Sequence, residues 1–354
     1  MKFAVFSLMQ WPEDRSQGDV YHDELAQLEA AESQGYDAVW LAEHHFSRYG
    51  IGPSIHLTAA HLAARTERVR IGTAVTIAPF FHPLRIAEEI AMLDRLSEGR
   101  IDWGAGRGYQ GHEFAGFGVD IRKSHLLFRE QLEVVTRAWS GEPFAWQGEH
   151  YSFPELQVLP TPVQQPHPPI WVAAISPETL EWAADQGHAV LTDQFAPFHK
   201  IAESRELYFG RLARAGFDPA ARPIPTLRHV YVGESLARAR EEAGPALLWY
   251  YRALARVGSP ASHTGELPEN YSFYRVLGVE GLDPDRDREG FLAYLFENCA
   301  IVGDEAYVRD KLEELQERIR LDYLIAWQNF GGLPHEASLA SQRRLIEKVA
   351  PRFA

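Results

Sequence analysis

Cysteine is nearly missing from this chain. Its 354 residues include one, Cys299, so a single chain can form no disulfide and no cysteine-built zinc site. That fits a reducing cytoplasm. Positive charge is also in short supply: 35 lysines and arginines stand against 49 aspartates and glutamates, a net charge of −14. Such a balance repels a phosphate backbone or an anionic membrane surface, so neither nucleic acid nor membrane is expected as a partner. Long apolar runs are lacking too. Residues 3–9 are too few for a signal-peptide core, and the uncharged segment 156–177 is interrupted by prolines, so no targeting or membrane-spanning segment is expected.

What remains is an ordinary globular composition, 45% hydrophobic and 24% charged. Length alone allows one large barrel or two domains. The periodicity is more informative. Strand-like runs over 3–8, 37–42, 69–77 and 101–104 alternate with helical spacing over 23–33, 57–65 and 84–96. The strands begin about 33 residues apart, the length of a strand, a crossover helix and two loops. A helix over 125–139 follows, then an irregular region over 140–169, then strands over 170–174, 189–192, 226–232 and 323–327. Eight strands alternating with helices, and no linker at mid-chain, predict an α/β fold: a (β/α)8 TIM barrel, one domain over residues 1–354, with insertions after strand 4 and between strands 7 and 8. The second insertion, 258–290, has charge clustered near its end and reads as a mobile surface loop, either a lid or a passive insertion.

Barrel enzymes place their chemistry in the loops after the strand C-termini. The second strand runs into Glu43-His44-His45-Phe46, an acid and two imidazoles at that rim. Histidine exchanges protons near neutral pH, and a neighbouring carboxylate can fix its tautomer. A metal site would need further ligands on other strand ends. The third, fourth and fifth strands end in Ala78-Pro79, Gly104-Ala105-Gly106 and Ala174-Ile175, which supply none, so no metal is expected.

After the fourth strand, Gly106, Gly108 and Gly111 form a G-x-G-x-x-G pattern. A dinucleotide fingerprint must open directly into a helix, whereas the helical pattern here resumes only near Ser124, so that reading is rejected. The small residues would instead let a flat group approach the backbone, with Arg107 offering a cationic fork to a phosphate or carboxylate. Ser176-Pro177-Glu178-Thr179 after the fifth strand is a helix start, with serine at the cap and proline at the first helical position. Such a start, with Arg107 from the adjacent unit, makes an anion site. Of the many aromatics, Phe6 and Trp327 are the expected pocket liners.

These residues, with Lys2-Phe3, Val39-Trp40-Leu41-Ala42 directly before Glu43, Ile71-Gly72-Thr73-Ala74, His82-Pro83 and Glu181-Trp182-Ala183-Ala184, carry a resemblance. Nearly end to end the chain resembles the bacterial luciferase-like flavin-dependent monooxygenases, above all those of the luciferase α-subunit or alkanal monooxygenase type. The resemblance implies an enzyme that uses reduced FMN and dioxygen to insert one oxygen atom into a small, mostly apolar substrate through a flavin hydroperoxide. The flavin would be reduced by a separate reductase or in place by NAD(P)H. His44 would be the catalytic histidine, with Glu43 and His45 beside it. Arg107, Ser176 and Thr179 would hold the flavin phosphate, Ala74 and Val75 would support the ring through a non-proline cis peptide, and Phe6 and Tyr109 would flank it. A homodimer is implied. Two other readings belong to the same resemblance: a hydride-transfer oxidoreductase using a deazaflavin (F420) or a flavin, and a non-catalytic flavin-binding partner subunit. The intact Glu43-His44-His45 cluster argues against the second.

The chain also departs from the luciferase pattern. Gly106 stands where the luciferase α subunit has a reactive cysteine, Ile175 replaces an acidic residue, and Gln194 replaces a tryptophan. Light emission is not implied. These changes predict more space near the flavin's reactive edge, a more polar wall at Gln194, and a substrate other than a long-chain aldehyde.

Overall fold

A computed structural model describes residues 1–261, 265–269, 271 and 284–354. In chain order it contains β1 (Lys2–Ser7), α1 (Gln17–Gln34), β2 (Ala38–Leu41), α2 (Ile55–Arg65), β3 (Arg70–Thr73), the short β4 (Thr76–Ile77), α3 (Pro83–Leu96), β5 (Ile101–Gly106), α4 (Gly111–Phe117) and α5 (Ser124–Ala138). There follow β6 (Phe144–Gln147), β7 (Ser152–Leu156), β8 (Ile170–Ala173), α6 (Pro177–Asp185), β9 (Ala189–Leu191), α7 (Phe198–Arg214), β10 (Thr226–Val232), α8 (Leu236–Val257), α9 (Arg288–Asn298), β11 (Ile301–Gly303), α10 (Glu305–Ile319), β12 (Tyr323–Trp327) and α11 (His335–Arg344).

Parallel ladders join β10, β12, β1, β2, β3, β5, β8 and β9 in that order, with β4 paired to β5 and β11 to the far side of β10. Representative registers are Val5 opposite Val39, Val39 opposite Ile71, and Leu227 opposite Ile325. The eight principal strands are those expected from the sequence, and helices surround the curled sheet as in a (β/α)8 barrel. Strand alternation divides the core. Phe3 and Val5 of β1, Val39 and Leu41 of β2, and Leu324 and Ala326 of β12 pack outward against the helices. Ala4 and Phe6, Ala38 and Trp40, and Ile325 and Trp327 belong to the inner cluster. Successive side chains on a strand point to opposite faces, so a single apolar run fills both layers. Gly72 shows how tightly the interior is filled: a Cβ there would come within 2.3 Å of the Trp40 ring.

One seam of the ring is built differently. Among the described residues no ladder joins β9 to β10. Instead Arg228, fully buried on β10, donates from Nη1 to the Asp193 carbonyl at 2.8 Å and from Nη2 to the Ala196 carbonyl at 2.7 Å, both just past β9.

Several local expectations need correction. The glycine-rich loop opens into α4 at Gly111, well before Ser124, so a late helix start does not exclude a dinucleotide fingerprint; the strand order, which runs β1, β2, β3, β5, β8, β9 in chain sequence without the reversal of a doubly wound sheet, is what excludes that fold. Residues 140–169 are not wholly irregular, because β6 and β7 pair as an antiparallel hairpin. In the 258–290 loop, residues 262–264, 270 and 272–283, on which the lid reading falls, lie outside the described residues. Among the described residues no helix is long and apolar enough to cross a membrane.

Candidate active site

The loops after the strand C-termini enclose a cavity with about 1070 Å³ of empty space, part of it open to solvent. Of the residues singled out from the sequence, Phe6, Glu43, His44, Ala74, Val75, Arg107, Tyr109, Ser176 and Thr179 line it. His45 does not. Its ring turns away, to Phe46, Phe80 and Phe117. Trp327 is likewise absent from the wall, packed edge-on to Phe6 at 5.1 Å and stacked on His229 in the closed core.

His44 reaches the cavity because β2 ends at Leu41 and the chain turns outward over the rim. Its Nδ1 lies 2.9 Å from Oε1 of Glu113, a residue of α4 with no solvent exposure. The same oxygen accepts the His45 backbone N–H at 2.8 Å. A carboxylate there accepts a hydrogen bond from Nδ1–H and leaves Nε2 as the basic nitrogen of the ring. Glu43 acts on a different segment. Its Oε1 is 2.9 Å from His45 Nε2, and its Oε2 accepts the Ile77 backbone N–H at 3.2 Å, tying the end of β2 to the segment containing Ala74 and Val75. The Ala74–Val75 peptide bond is cis, as the resemblance implied.

At Gly106 the expected extra room is absent. A Cβ there would meet Val75 Cγ2 at 2.8 Å and Ala173 Cβ at 3.0 Å, so neighbouring side chains already fill the space. Gly108 adopts φ +73°, a left-handed conformation that only glycine takes without strain, and this turns the loop between Arg107 and α4.

Another part of the cavity wall is cationic. Ser176 caps α6, its Oγ accepting the Thr179 N–H at 3.3 Å and lying 3.0 Å from the Thr179 hydroxyl. Arg107 and Thr179 also line a smaller adjoining recess with His125 and Arg129. Burial, then the charges of Arg107 and Arg129, hold the His125 pKa below its ordinary value. The Arg107 guanidinium lies 4.2 Å from the ring centre of Tyr271, whose hydroxyl donates to the Gly108 carbonyl at 2.6 Å. Burial pushes that hydroxyl up to about 12. A guanidinium, two hydroxyls and the open N–H groups of a helix start match a phosphate, and the apolar wall beyond them, Phe6, Ala74, Val75 and Ile175 among it, matches a planar ring. The residues present therefore fit a flavin that carries a phosphate.

Glu113 and Tyr271 went unseen in the sequence. An acid six residues after Arg107 was visible, but without α4 nothing directed it at His44.

Comparison with known proteins bears on the family and the fold. Residues 1–320 match the model of the luciferase-like monooxygenases. The oxygenase component of a flavin-dependent trigonelline monooxygenase from Acinetobacter baylyi is 31% identical over 360 residues, covering 100% of this chain and 96% of that protein. An alkanal monooxygenase alpha chain from the Kryptophanaron alfredi symbiont is 34% identical over 208 residues, 59% of this chain and 58% of that one. Among solved structures, a monooxygenase from Streptomyces bottropensis superposes with a TM-score of 0.85 at 30% identity, covering 100% of both chains. The eight-stranded fold, the rim histidine with its buried acid and the family match lead to one conclusion: this chain is an enzyme of the luciferase-like family of flavin-dependent monooxygenases.

Proposed function

We propose that this chain is the oxygenase of a two-component system, taking reduced FMN from a separate reductase and inserting one atom of dioxygen into a small, mostly apolar substrate. The observation that carries this reading is a single cavity lined by His44, the Ala74–Val75 pair and the Arg107, Ser176 and Thr179 anion site. Bound reduced flavin supplies the oxygen-activating chemistry. The side chains do the rest. Arg107, Ser176 and Thr179 hold the phosphate, Ala74 and Val75 support the ring, and Phe6 and Tyr109 flank it. His44, its Nδ1 held by Glu113, accepts and returns a proton at Nε2. Glu43 and His45 are positioning residues that fix the rim segment and the 74–77 turn. The apolar wall, including Leu8, Leu227 and Ile325, keeps water from the reacting atoms.

A reductase partner is supported by the Acinetobacter baylyi relative being named an oxygenase component. The chain would work as one barrel unit over its length, in the cytoplasm and as a homodimer.

Titration with FMN, oxidised and reduced, followed by flavin fluorescence tests the reading. Saturable uptake is expected, and its absence would overturn the proposal. His44→Ala should keep that uptake while losing product formation by about 10²–10⁴-fold, the usual contribution of a positioned acid–base group. Turnover unchanged in that variant would remove His44 from the mechanism.

A further inference from the structure

We propose that the cavity carries a polar subsite, built on Thr192 and Gln194 with Tyr49, that selects substrates bearing a hydroxyl or N–H donor. This deepens the oxygenase reading and rests on it. Gln194 follows β9 and Tyr49 follows β2, strands that lie on opposite sides of the ring. The two side chains meet across the mouth: Gln194 Nε2 donates to the Tyr49 hydroxyl at 3.2 Å and to the Tyr250 hydroxyl at 3.0 Å. Tyr49 is 1% exposed and Tyr250 is fully buried, so the bridge is held from within the core.

Those two bonds use both hydrogens of the amide, which leaves Gln194 Oε1 as the atom able to accept a further hydrogen bond. Two residues earlier Thr192 Oγ1 is buried without a partner, although Thr192 lines the same cavity. Asp193, between them, is engaged in its own turn, Oδ1 accepting the N–H groups of Phe195 and Ala196. The strip after β9 thus places an amide oxygen and a buried, unpartnered hydroxyl oxygen at a chamber that the apolar Phe6, Leu8, Leu191 and Ile325 also line. A purely hydrocarbon substrate would strip water from these oxygens and offer nothing in return. A hydroxyl or N–H on an otherwise apolar body would pair with them, and sites built this way discriminate strongly against the analogue lacking the donor.

Phenol and toluene have nearly the same shape and differ by a hydroxyl against a methyl. Their binding to the FMN-loaded protein can be measured by calorimetry, with flavin fluorescence reporting FMN uptake in the same samples. Wild type should bind phenol about tenfold more tightly than toluene, the worth of one well-made hydrogen bond. Gln194→Leu should reverse that order. Toluene binding wild type as tightly as phenol, or an unchanged ratio in Gln194→Leu with FMN uptake intact, would overturn the subsite and leave the oxygenase reading standing. If Gln194→Leu does not fold, Thr192→Val decides: a lower phenol preference supports the subsite and a wild-type ratio overturns it. Should wild type take up no FMN, the oxygenase reading fails, and the same pair tested on flavin-free protein still decides the subsite.

Discussion

Glu24 of α1 sits inside the barrel rim, 6% exposed, with its Oε2 accepting from the Ser7 hydroxyl at 2.6 Å and from the Asn329 amide. Burial pushes its carboxyl up to about 8, against the pull of Ser7 and of the nearby Arg15, with Asp23 adding to the rise. The folded protein therefore keeps a proton that the unfolded chain releases near 4.5. The stability this group contributes is complete below about pH 4.5 and is lost as pH climbs toward 8, at about 1.4 kcal/mol per pH unit. Glu24→Gln keeps a hydrogen-bonding side chain without the titration. Urea unfolding should find the variant and wild type similar at about pH 4.5, and the variant ahead by about 2–4 kcal/mol at about pH 8. Parallel stability curves across that range would rule the assignment out. Neither Glu24 nor Glu113 was legible from the sequence, because each acts across the fold: Glu24 through Asn329 at the far end of the chain, and Glu113 through a histidine that follows another strand. His44, Arg107, Ser176 and Thr179 were legible because each follows directly from a strand end or a helix start, where a local pattern already fixes direction.

Elements divide in a similar way. β1, β2 and β12 carry continuous apolar runs that serve two core layers at once, and such runs mark a buried parallel strand in the sequence itself. α4 was missed because Gly111 and Gly116 are poor helix formers; tertiary contacts override that weakness, with Phe114 buried against Phe80 and Phe117 stacked on it. β11, which among the described residues pairs with β10 alone, was also missed. Among the described residues Arg228 bridges the β9–β10 seam. Arg228→Leu would leave the Asp193 and Ala196 carbonyls without their donor, and a loss of about 2–4 kcal/mol is expected from denaturant unfolding, with faster amide exchange over 193–196 than along β1. A variant as stable as wild type would show that the guanidinium does not close the ring.

At the scale of the molecule, α2 and α3 pack side by side and leave Leu57 at 74%, Met92 at 54% and Leu96 at 54% exposure. In the proposed homodimer these exposed apolar side chains would be covered. Replacing Leu57 and Met92 together with glutamate should weaken self-association by about a hundredfold in sedimentation velocity without altering FMN uptake. A wild-type chain that sediments as a monomer at all concentrations would discard the dimer. The barrel itself was readable because its repeat is regular, whereas the surfaces it presents to a partner have no period to read.

The Arg228 closure also bears on how such a scaffold diversifies. Neighbouring strands stitched by many backbone bonds must move together, but a join in which a guanidinium grips main-chain carbonyls lets the side chains from Asp193 to Ala196 be exchanged while those two bonds stay. That stretch borders the chamber at Gln194, so inherited variation in what the enzyme admits should gather at this edge while the rest of the cylinder stays unchanged.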